Sequence, residues 1–143
     1  MMKQNTSKNN KSVLLHIALC FCKCKNKILF LQKSNDYKEP QTWTVPGGKI
    51  NRDENPIDAN IREFLEETGI VLPKDCIKSK GFFVAGTLEK PLGIHLFQAQ
   101  LAEEPIVTLS AEHQNYRWCS LEEIWDLPLI SGANRCLEIV YKK

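Results

Sequence analysis

The chain has 143 residues, of which 43% are hydrophobic and 25% are charged, and its formal net charge is +2. This composition is typical of a soluble globular protein, and the length allows one domain with a sizeable core but not two. The small net charge gives no indication of nucleic acid or an acidic membrane as a partner, and no apolar run is long enough to span a membrane.

The N-terminal segment predicts a disordered tail followed by one domain. Residues 1–11 are polar and rich in lysine and asparagine, so we predict that they are disordered and that a single domain covers residues 12–143. The apolar run that follows, VLLHIALCFC, would also suit a secretory signal peptide. Because the run continues past a turn into a strand-like pattern, we favour a buried strand and a cytoplasmic location.

Three of the six cysteines alternate in this run, so Cys20, Cys22 and Cys24 would share one face of a strand. A metal or redox site is one interpretation, but the chain has no C-x-x-C pair of the kind that zinc sites use. Cysteine is also a small hydrophobe that strands bury readily. We predict buried thiols, without disulfides in a cytoplasmic protein.

The first strands are predicted from apolar runs and turn residues. Val13–Cys22 and Ile28–Gln32 flank a polar turn and predict a β-hairpin. After a polar loop, Trp43–Val45 predicts a short strand that ends at Pro46–Gly48. Two glycines after a proline predict a tight backbone path that a ligand can approach closely.

A helix is predicted between Asn55 and Gly69. Asn55 is a favourable N-cap, Pro56 suits the first helical position, and Gly69 can adopt the left-handed conformation that ends a helix. Four apolar side chains and a threonine recur at helical spacing and predict the buried side of this helix: Ile57, Ile61, Phe64, Leu65 and Thr68.

The remaining chain predicts more strands and two short helices. Phe82–Ala85, Ile94–Leu101 and Tyr116–Cys119 have strand composition, Ser120 would cap a short helix, and Ser131–Tyr141 predicts a last helix. This order predicts an α/β domain of the α+β kind, with a mixed, antiparallel-rich sheet. Trp118 and Trp125 are predicted as core residues, and Trp43 is predicted as a core residue with stacking on a substrate base as the alternative.

Three carboxylates lie on one side of the predicted helix. Glu63, Glu66 and Glu67 are three and four residues apart, and they occupy the last turns, where the helix dipole disfavours anions. A solvated helix face is the alternative, but such a face normally mixes lysine with glutamate, and here Arg62 is the cation next to them. Converging carboxylate oxygens on a rigid element are what a hard divalent cation requires, so we predict a metal site.

The segment Gly48–Ile70, GKINRDENPIDANIREFLEETGI, resembles the signature segment of the Nudix hydrolases, the Nudix box. Every fixed position of that pattern is met: Gly48, Glu54, Arg62, Glu63, Phe64, Glu66, Glu67, Gly69 and Ile70. The chain most resembles the MutT-type nucleoside triphosphate pyrophosphohydrolases. The residues that carry this second resemblance are Trp43–Ile50 before the box, Glu112 six residues before Trp118, and Gly132–Asn134 at the start of the last helix.

The resemblance implies a Nudix-type α/β/α sandwich whose box helix carries a Mg²⁺ site, with Mn²⁺ as an alternative ion. It implies five metal ligands: the Gly47 carbonyl, Glu63, Glu66, Glu67 and Glu112. Either Glu63 or Glu112 would accept a proton from the attacking water. Arg62 would act in catalysis by orienting the carboxylates with Glu54. The motif residues with structural roles would be Gly48, Glu54 and Gly69.

For several other residues two interpretations stay open. Lys49 would contact a substrate phosphate or be a solvated loop lysine. Asn134 would hydrogen-bond a substrate base or cap the last helix. His16 and His95 lie in apolar runs and are predicted as core or strand histidines rather than ligands, whereas His113 is a weak site candidate because it adjoins the implied ligand before it.

Nudix hydrolases cleave a nucleoside diphosphate linked to a second group, by metal-assisted attack of water on phosphorus. The resemblance therefore implies an enzyme whose predicted substrate is a nucleoside triphosphate, unmodified or oxidised, and whose products are the monophosphate and pyrophosphate. The alternatives are a nucleotide sugar, a dinucleoside polyphosphate, or a non-catalytic module that binds nucleotide. The predicted partner is a nucleotide rather than nucleic acid or a membrane, and the predicted assembly is a monomer or homodimer.

Overall fold

The structure is a computed structural model that describes residues 14–141, so the predicted tail over residues 1–11 lies outside the described residues. The strands are β1 (Leu15–Cys24), β2 (Lys27–Lys33), β3 (Trp43–Thr44), β4 (Gly47–Lys49), β5 (Ile77–Gly86), β6 (Pro91–Leu101) and β7 (His113–Cys119). The helices are α1 (Pro56–Thr68), α2 (Leu121–Ile124) and α3 (Ala133–Val140), with a 3-10 turn at Lys74–Cys76. Within residues 14–141, none of the helices has the length and apolar character needed to cross a membrane.

One mixed sheet contains these strands in the order β3-β2-β1-β6-β5, with β4 also paired to β1 and β7 to β2. Among the described strands, β1 and β6 form the parallel pair, and the other pairings are antiparallel. The predicted hairpin of β1 and β2 forms, but its strands pair only next to their turn, because β4 lies along β1 farther from it. The predicted antiparallel-rich, mixed sheet is thereby confirmed.

Apolar side chains pack against both faces of the sheet. On one face, Ala59 and Phe64 of α1 pack with strand residues such as Leu29. On the other face, Ile124 of α2 and Leu137 of α3 pack in a second core. Since helices cover both faces, the fold is an α/β/α sandwich, as the resemblance implies.

The strand β1 supplies both cores because its side chains alternate between the faces. Ala18, Cys20 and Cys22 point towards α1, whereas Ile17 and Leu19 pack against the core under α3. The prediction that these cysteines are buried small hydrophobes is confirmed. Burial raises the pKa of Cys22 to about 12, so its thiol stays protonated at neutral pH.

The helix α1 begins and ends as predicted. The Asn55 side chain accepts a hydrogen bond at 3.1 Å from the amide two residues later. Gly69 has a φ of 76°, and its amide donates to the Leu65 carbonyl. The predicted buried side is wrong at Leu65, which is 43% exposed. The helix turns its buried side towards Asn60 and Glu67 instead, so one of the predicted carboxylates is drawn into the protein.

Three further expectations are wrong. The glycines Gly47 and Gly48 lie in the short strand β4 and neither has a positive φ, so they make no tight turn. Trp125 is exposed, because it lies just beyond the end of α2, whereas Trp43 is buried as predicted. The capping alternative for Asn134 fails, because the residue at the N-cap of α3 is a glycine two positions earlier.

The left-handed glycine that ends α1 provides a test of this packing. A side chain in the left-handed region costs about 1 kcal/mol, which corresponds to about 2–4 °C in the melting temperature of a chain of this size. Gly69→Ala should lower the melting temperature by more than this, because its Cβ would lie 3.3 Å from the Thr108 side chain. Gly132→Ala is the matched control, since Gly132 also has a positive φ and nothing lies within 4 Å of its Cβ position. Equal losses in thermal denaturation would show that the Thr108 contact is irrelevant.

Candidate metal and substrate site

The carboxylates of α1 lie against β4, and two glycines allow the close contact. The Gly47 amide donates a hydrogen bond to Oε1 of Glu67 at 3.1 Å. A Cβ at Gly48 would lie 2.5 Å from the carboxylate carbon of Glu63, and a Cβ at Gly47 would collide with the Ala18 carbonyl oxygen. The close approach predicted for this segment is therefore made to the protein's own carboxylate and strand.

Arg62 connects the loop before α1 to the carboxylates of the helix. Its guanidinium donates two hydrogen bonds to Glu54, at 2.9 and 3.0 Å, and one to the Lys49 carbonyl at 2.9 Å. Its Nη1 lies 3.0 Å from Glu63 and 3.3 Å from Glu66. The structure thus brings Arg62 and Glu54 together. The hydrogen bonds from Arg62 lower the pKa of Glu54, so that carboxylate stays ionised as the anchor of the guanidinium.

Glu67 is the most buried carboxyl of the group, at 3% exposure. Its pKa is raised to about 9, first by burial and also by the neighbouring charges of Glu112 and Glu63, whereas the hydrogen bond from the Gly47 amide opposes the shift. Glu112 lies in the loop before β7, close enough for its charge to act on Glu67. A buried carboxyl beside two others favours either a proton or a bound cation.

Glu63 occupies an intermediate environment. Burial raises its pKa, the hydrogen bond from Arg62 lowers it, and the charge of Glu66 raises it again. The interaction between the Glu63 and Glu67 carboxyls lowers the pKa of Glu63 and raises that of Glu67. Glu67 is therefore the partner that holds the proton.

The donor set fits a hard divalent cation, because every candidate ligand supplies oxygen. Within the described residues, no three acidic, histidine or cysteine side chains already converge on one point. The reason is that Arg62 holds Glu63 and Glu66, while Glu67 is turned to the Gly47 amide. Coordination would require these side chains to rotate, and Glu66, at 56% side-chain exposure, has room to do so.

A cavity of about 640 Å³ lies on the opposite face of the sheet, between the strands and α3; we call it the apolar cavity. Its walls are mainly apolar side chains, including Leu19, Phe30 and Leu137, and polar residues lie at its rim. Val45 lines this cavity, and two residues further on Gly47 contacts the carboxylates. The short segment from Val45 to Gly47 therefore connects the apolar cavity to the carboxylates of α1, which we call the acidic cluster.

The rim of the apolar cavity is held by side-chain contacts. One oxygen of Glu39 accepts hydrogen bonds from the Ser131 amide at 3.0 Å and from the Ser131 hydroxyl at 2.8 Å. The Arg135 guanidinium lies 4.6 Å from the centre of the Phe83 ring. These contacts link the loop after β2 and the strand β5 to the start of α3, so the rim has a defined shape.

The remaining predicted site residues are placed less centrally. The side chain of Lys49 is exposed and lines a different cavity, beside the loop before α1. Asn134 is exposed on α3 and does not line the apolar cavity. Sequence reasoning missed the charged residues of the rim. Lys33, Lys38 and Glu39 precede the motif and carry no recognisable spacing, so only the folded chain relates them to a site.

Comparison with known proteins assigns the fold and the motif to one family. The NUDIX domain model matches residues 14–138 of the chain. A MutT protein from Methanosarcina mazei superimposes with a TM-score of 0.74 and 27% sequence identity, covering 87% of this chain and 91% of that one.

Two curated relatives carry different names. The asymmetrical bis(5'-nucleosyl)-tetraphosphatase of Caenorhabditis elegans is 35% identical over 106 residues, which is 71% of this chain and 74% of that protein. The CTP pyrophosphohydrolase of Escherichia coli is 29% identical over 127 residues, which is 87% of this chain and 90% of that protein. The similarities therefore span more than one type of nucleotide substrate.

The raised pKa of Glu67 predicts how stability depends on pH without added metal. Between the usual pKa of 4.5 and the folded value of about 9, the native protein holds a proton that the unfolded chain has released. Stability should therefore fall as pH rises through this window. In EDTA, Glu67→Gln should have a shallower decline of melting temperature with pH than the unmodified protein, whereas Glu138→Gln, an exposed control on α3, should follow the unmodified protein. Parallel curves for all three proteins would contradict the assignment.

Proposed function

The chain belongs to the Nudix family of hydrolases, which act on phosphoric anhydrides, and we propose that its substrate is a nucleoside triphosphate, unmodified or oxidised, hydrolysed to the monophosphate and pyrophosphate with Mg²⁺ or Mn²⁺. The observation that carries this proposal is the short segment that connects an apolar cavity, at Val45, to a carboxylate cluster, at Gly47. A nucleotide has the same two parts in the same order, an aromatic base and a chain of phosphates.

The apolar cavity suits the nucleoside. Its volume of about 640 Å³ falls in the range of small-molecule sites, and its walls are apolar and aromatic. The polar side chains lie at the rim, where the edge of a base or a ribose would meet them. Glu39 is the acidic side chain among the described residues of this rim, and its anchored carboxylate can accept a hydrogen bond from an amino group of a base.

The carboxylates would hold the metal. Glu63, Glu66, Glu67 and Glu112 supply hard oxygen donors, and the Gly47 carbonyl is the proposed backbone ligand. When bound, a divalent cation neutralises phosphate charge, polarises the phosphoryl oxygens and lowers the pKa of a coordinated water. Glu67 would release its proton as the site is loaded, so metal binding should be stronger at higher pH.

The other residues around the metal would position groups and transfer a proton. Arg62 fixes Glu63 and Glu66 relative to the loop, which orients the carboxylates and leaves few of its donors for substrate. Glu63 and Glu112 are the candidates to accept the proton of the attacking water. Lys49, next to the glycine pair, is the proposed phosphate contact, because its exposed side chain can reach a chain of phosphates leaving the carboxylates.

A second candidate substrate is a dinucleoside polyphosphate. The asymmetrical tetraphosphatase of C. elegans, 35% identical over 71% of this chain, carries that substrate in its name. The structure also contains a second cavity, beside the loop before α1. A triphosphate has one nucleoside and would leave this cavity empty, whereas a dinucleoside polyphosphate has a second nucleoside that can fill it. Both observations favour testing this class directly beside the triphosphates.

A panel of substrates with product identification tests the proposed function. The four ribonucleoside triphosphates, an oxidised nucleoside triphosphate, diadenosine tetraphosphate and a nucleotide sugar are incubated with Mg²⁺ or with EDTA, and the products are separated by ion exchange. We expect metal-dependent turnover, with monophosphate and pyrophosphate released from at least one triphosphate. Turnover of the dinucleotide alone would select the second candidate, and absence of metal-dependent turnover of every compound would refute both.

The assignment of the metal ligands predicts a loss of activity without a loss of fold. Glu66→Gln and Glu67→Gln should each lower kcat on the order of 100-fold, because each removes an anionic ligand. Their circular dichroism should match that of the unmodified protein, and Glu138→Gln should keep full activity as the matched control. Unchanged kcat in both variants would show that these carboxylates do not hold the metal.

A further inference from the structure

We propose that Ser34, in the loop after β2, positions Glu112 so that its carboxylate stays beside the acidic cluster and can join it in holding a metal. Ser34 would act through Glu112 and not on the metal itself, so it is a positioning residue. This inference rests on the metal site of the proposed function, because it takes Glu112 as one of the ligands, but it does not depend on the substrate.

Glu112 differs from the other proposed carboxylate ligands because it lies in a loop. Glu63, Glu66 and Glu67 belong to α1, whose turns fix their spacing, whereas Glu112 ends the loop over residues 102–112 between β6 and β7. A metal site requires its ligands in a defined geometry, so a loop carboxylate contributes well only where other contacts hold its backbone.

The middle of this loop is tied to the end of α1. The Thr108 amide donates a hydrogen bond at 2.9 Å to the Thr68 carbonyl, and Thr68 directly follows Glu67 in the helix. The charge of Glu112 also acts on Glu67, so the last part of the loop lies close to the cluster as well. The Thr108 contact leaves the backbone next to Glu112 to be fixed by a different element.

Ser34 holds both peptide groups that flank the α-carbon of Glu112. Its amide donates a hydrogen bond at 2.9 Å to the Glu112 carbonyl, and its hydroxyl donates one at 2.9 Å to the Ala111 carbonyl. The Ala111 carbonyl belongs to the peptide group before Glu112, and the Glu112 carbonyl belongs to the one after it. Because each peptide group is planar, holding both restricts the two backbone dihedral angles of Glu112. The direction in which the carboxylate side chain leaves the backbone is thereby set.

A β-bulge lies at the point where Ser34 meets this loop. The register between β2 and β7 shifts between Gln32 and Lys33, so that Gln114 is an extra residue in β7. The Gln114 side-chain amide donates to the Lys33 carbonyl at 2.9 Å. Bulges bend a strand and change the direction of nearby side chains, often next to active sites. Ser34 directly follows the bulge in one strand and Glu112 directly precedes the other strand, so the two residues meet where the pairing ends.

Manganese binding in the absence of nucleotide tests this positioning role. Unbound Mn²⁺ is quantified by its paramagnetic resonance signal during titration of the protein. We expect Ser34→Ala to raise the Mn²⁺ dissociation constant about tenfold, at the lower end of the cost of losing an outer-shell partner, because the amide hydrogen bond remains. Ser34→Thr keeps the hydroxyl and should restore most of the affinity. Thr42→Val is the matched control, since it removes a hydroxyl that donates to the Glu39 carbonyl in the same loop, and it should bind Mn²⁺ as the unmodified protein does.

A double variant shows whether Ser34 acts through Glu112. Glu112→Gln should weaken Mn²⁺ binding at least as much as Ser34→Ala, and combining the two should cause no further loss, because the positioned carboxylate is already gone. If these results are found but no nucleotide is hydrolysed, the positioning role holds and the proposed function fails. An unchanged dissociation constant in Ser34→Ala, an equal loss in Thr42→Val, or additive losses in the double variant would overturn the inference, whether or not a nucleotide is hydrolysed.

Discussion

The arrangement of the site depends on a single guanidinium. Arg62 uses its nitrogen donors on Glu54, on the Lys49 carbonyl and on the helix carboxylates Glu63 and Glu66. It therefore fixes the distance between the loop and the helix. A lysine could not replace it, because one ammonium cannot make the two parallel hydrogen bonds to Glu54 and also reach a carbonyl on the far side. The segments that connect both cavities to the acidic cluster are β4, the loop after it and α1, and Arg62 holds these segments together.

The acidic cluster opposes the stability of the isolated fold. Glu67 is buried next to Glu63 and Glu112, and its main compensation is one backbone hydrogen bond from Gly47. Natural chains accept such local conflicts where a ligand resolves them. Here the conflict lies at the end of α1, and the helix is otherwise well capped and well packed, by Asn55 at one end and by a glycine at the other. The capped and packed turns of α1 therefore hold in place the last turns, in which the carboxylates repel one another.

How much could be predicted from the sequence differs between local and non-local features. The caps of α1, the capping box at Ser120 and the acidic motif were predictable, because residues close in the chain determine them. The burial of Glu67 was not, because the rotation of α1 is set by its contacts with the sheet. Nor was the contact of His16 with His95, which depends on a parallel pairing between distant strands. The rim contact of Glu39 with Ser131 was not predictable either, because it joins two loop residues that are far apart in the chain.

The strand β1 imposes a shared constraint on both cavities. His16 lines one cavity and its neighbour Ile17 lines the other, because successive side chains point to opposite faces. A slip of one residue in the register with β6 would exchange these side chains and place an imidazole in the apolar cavity. Insertions or deletions in β1 would therefore remake the two cavities together, whereas single substitutions can change either one alone. The linings of the two cavities can therefore diverge through substitutions in β1, whereas a change in the length of β1 would alter both cavities at once.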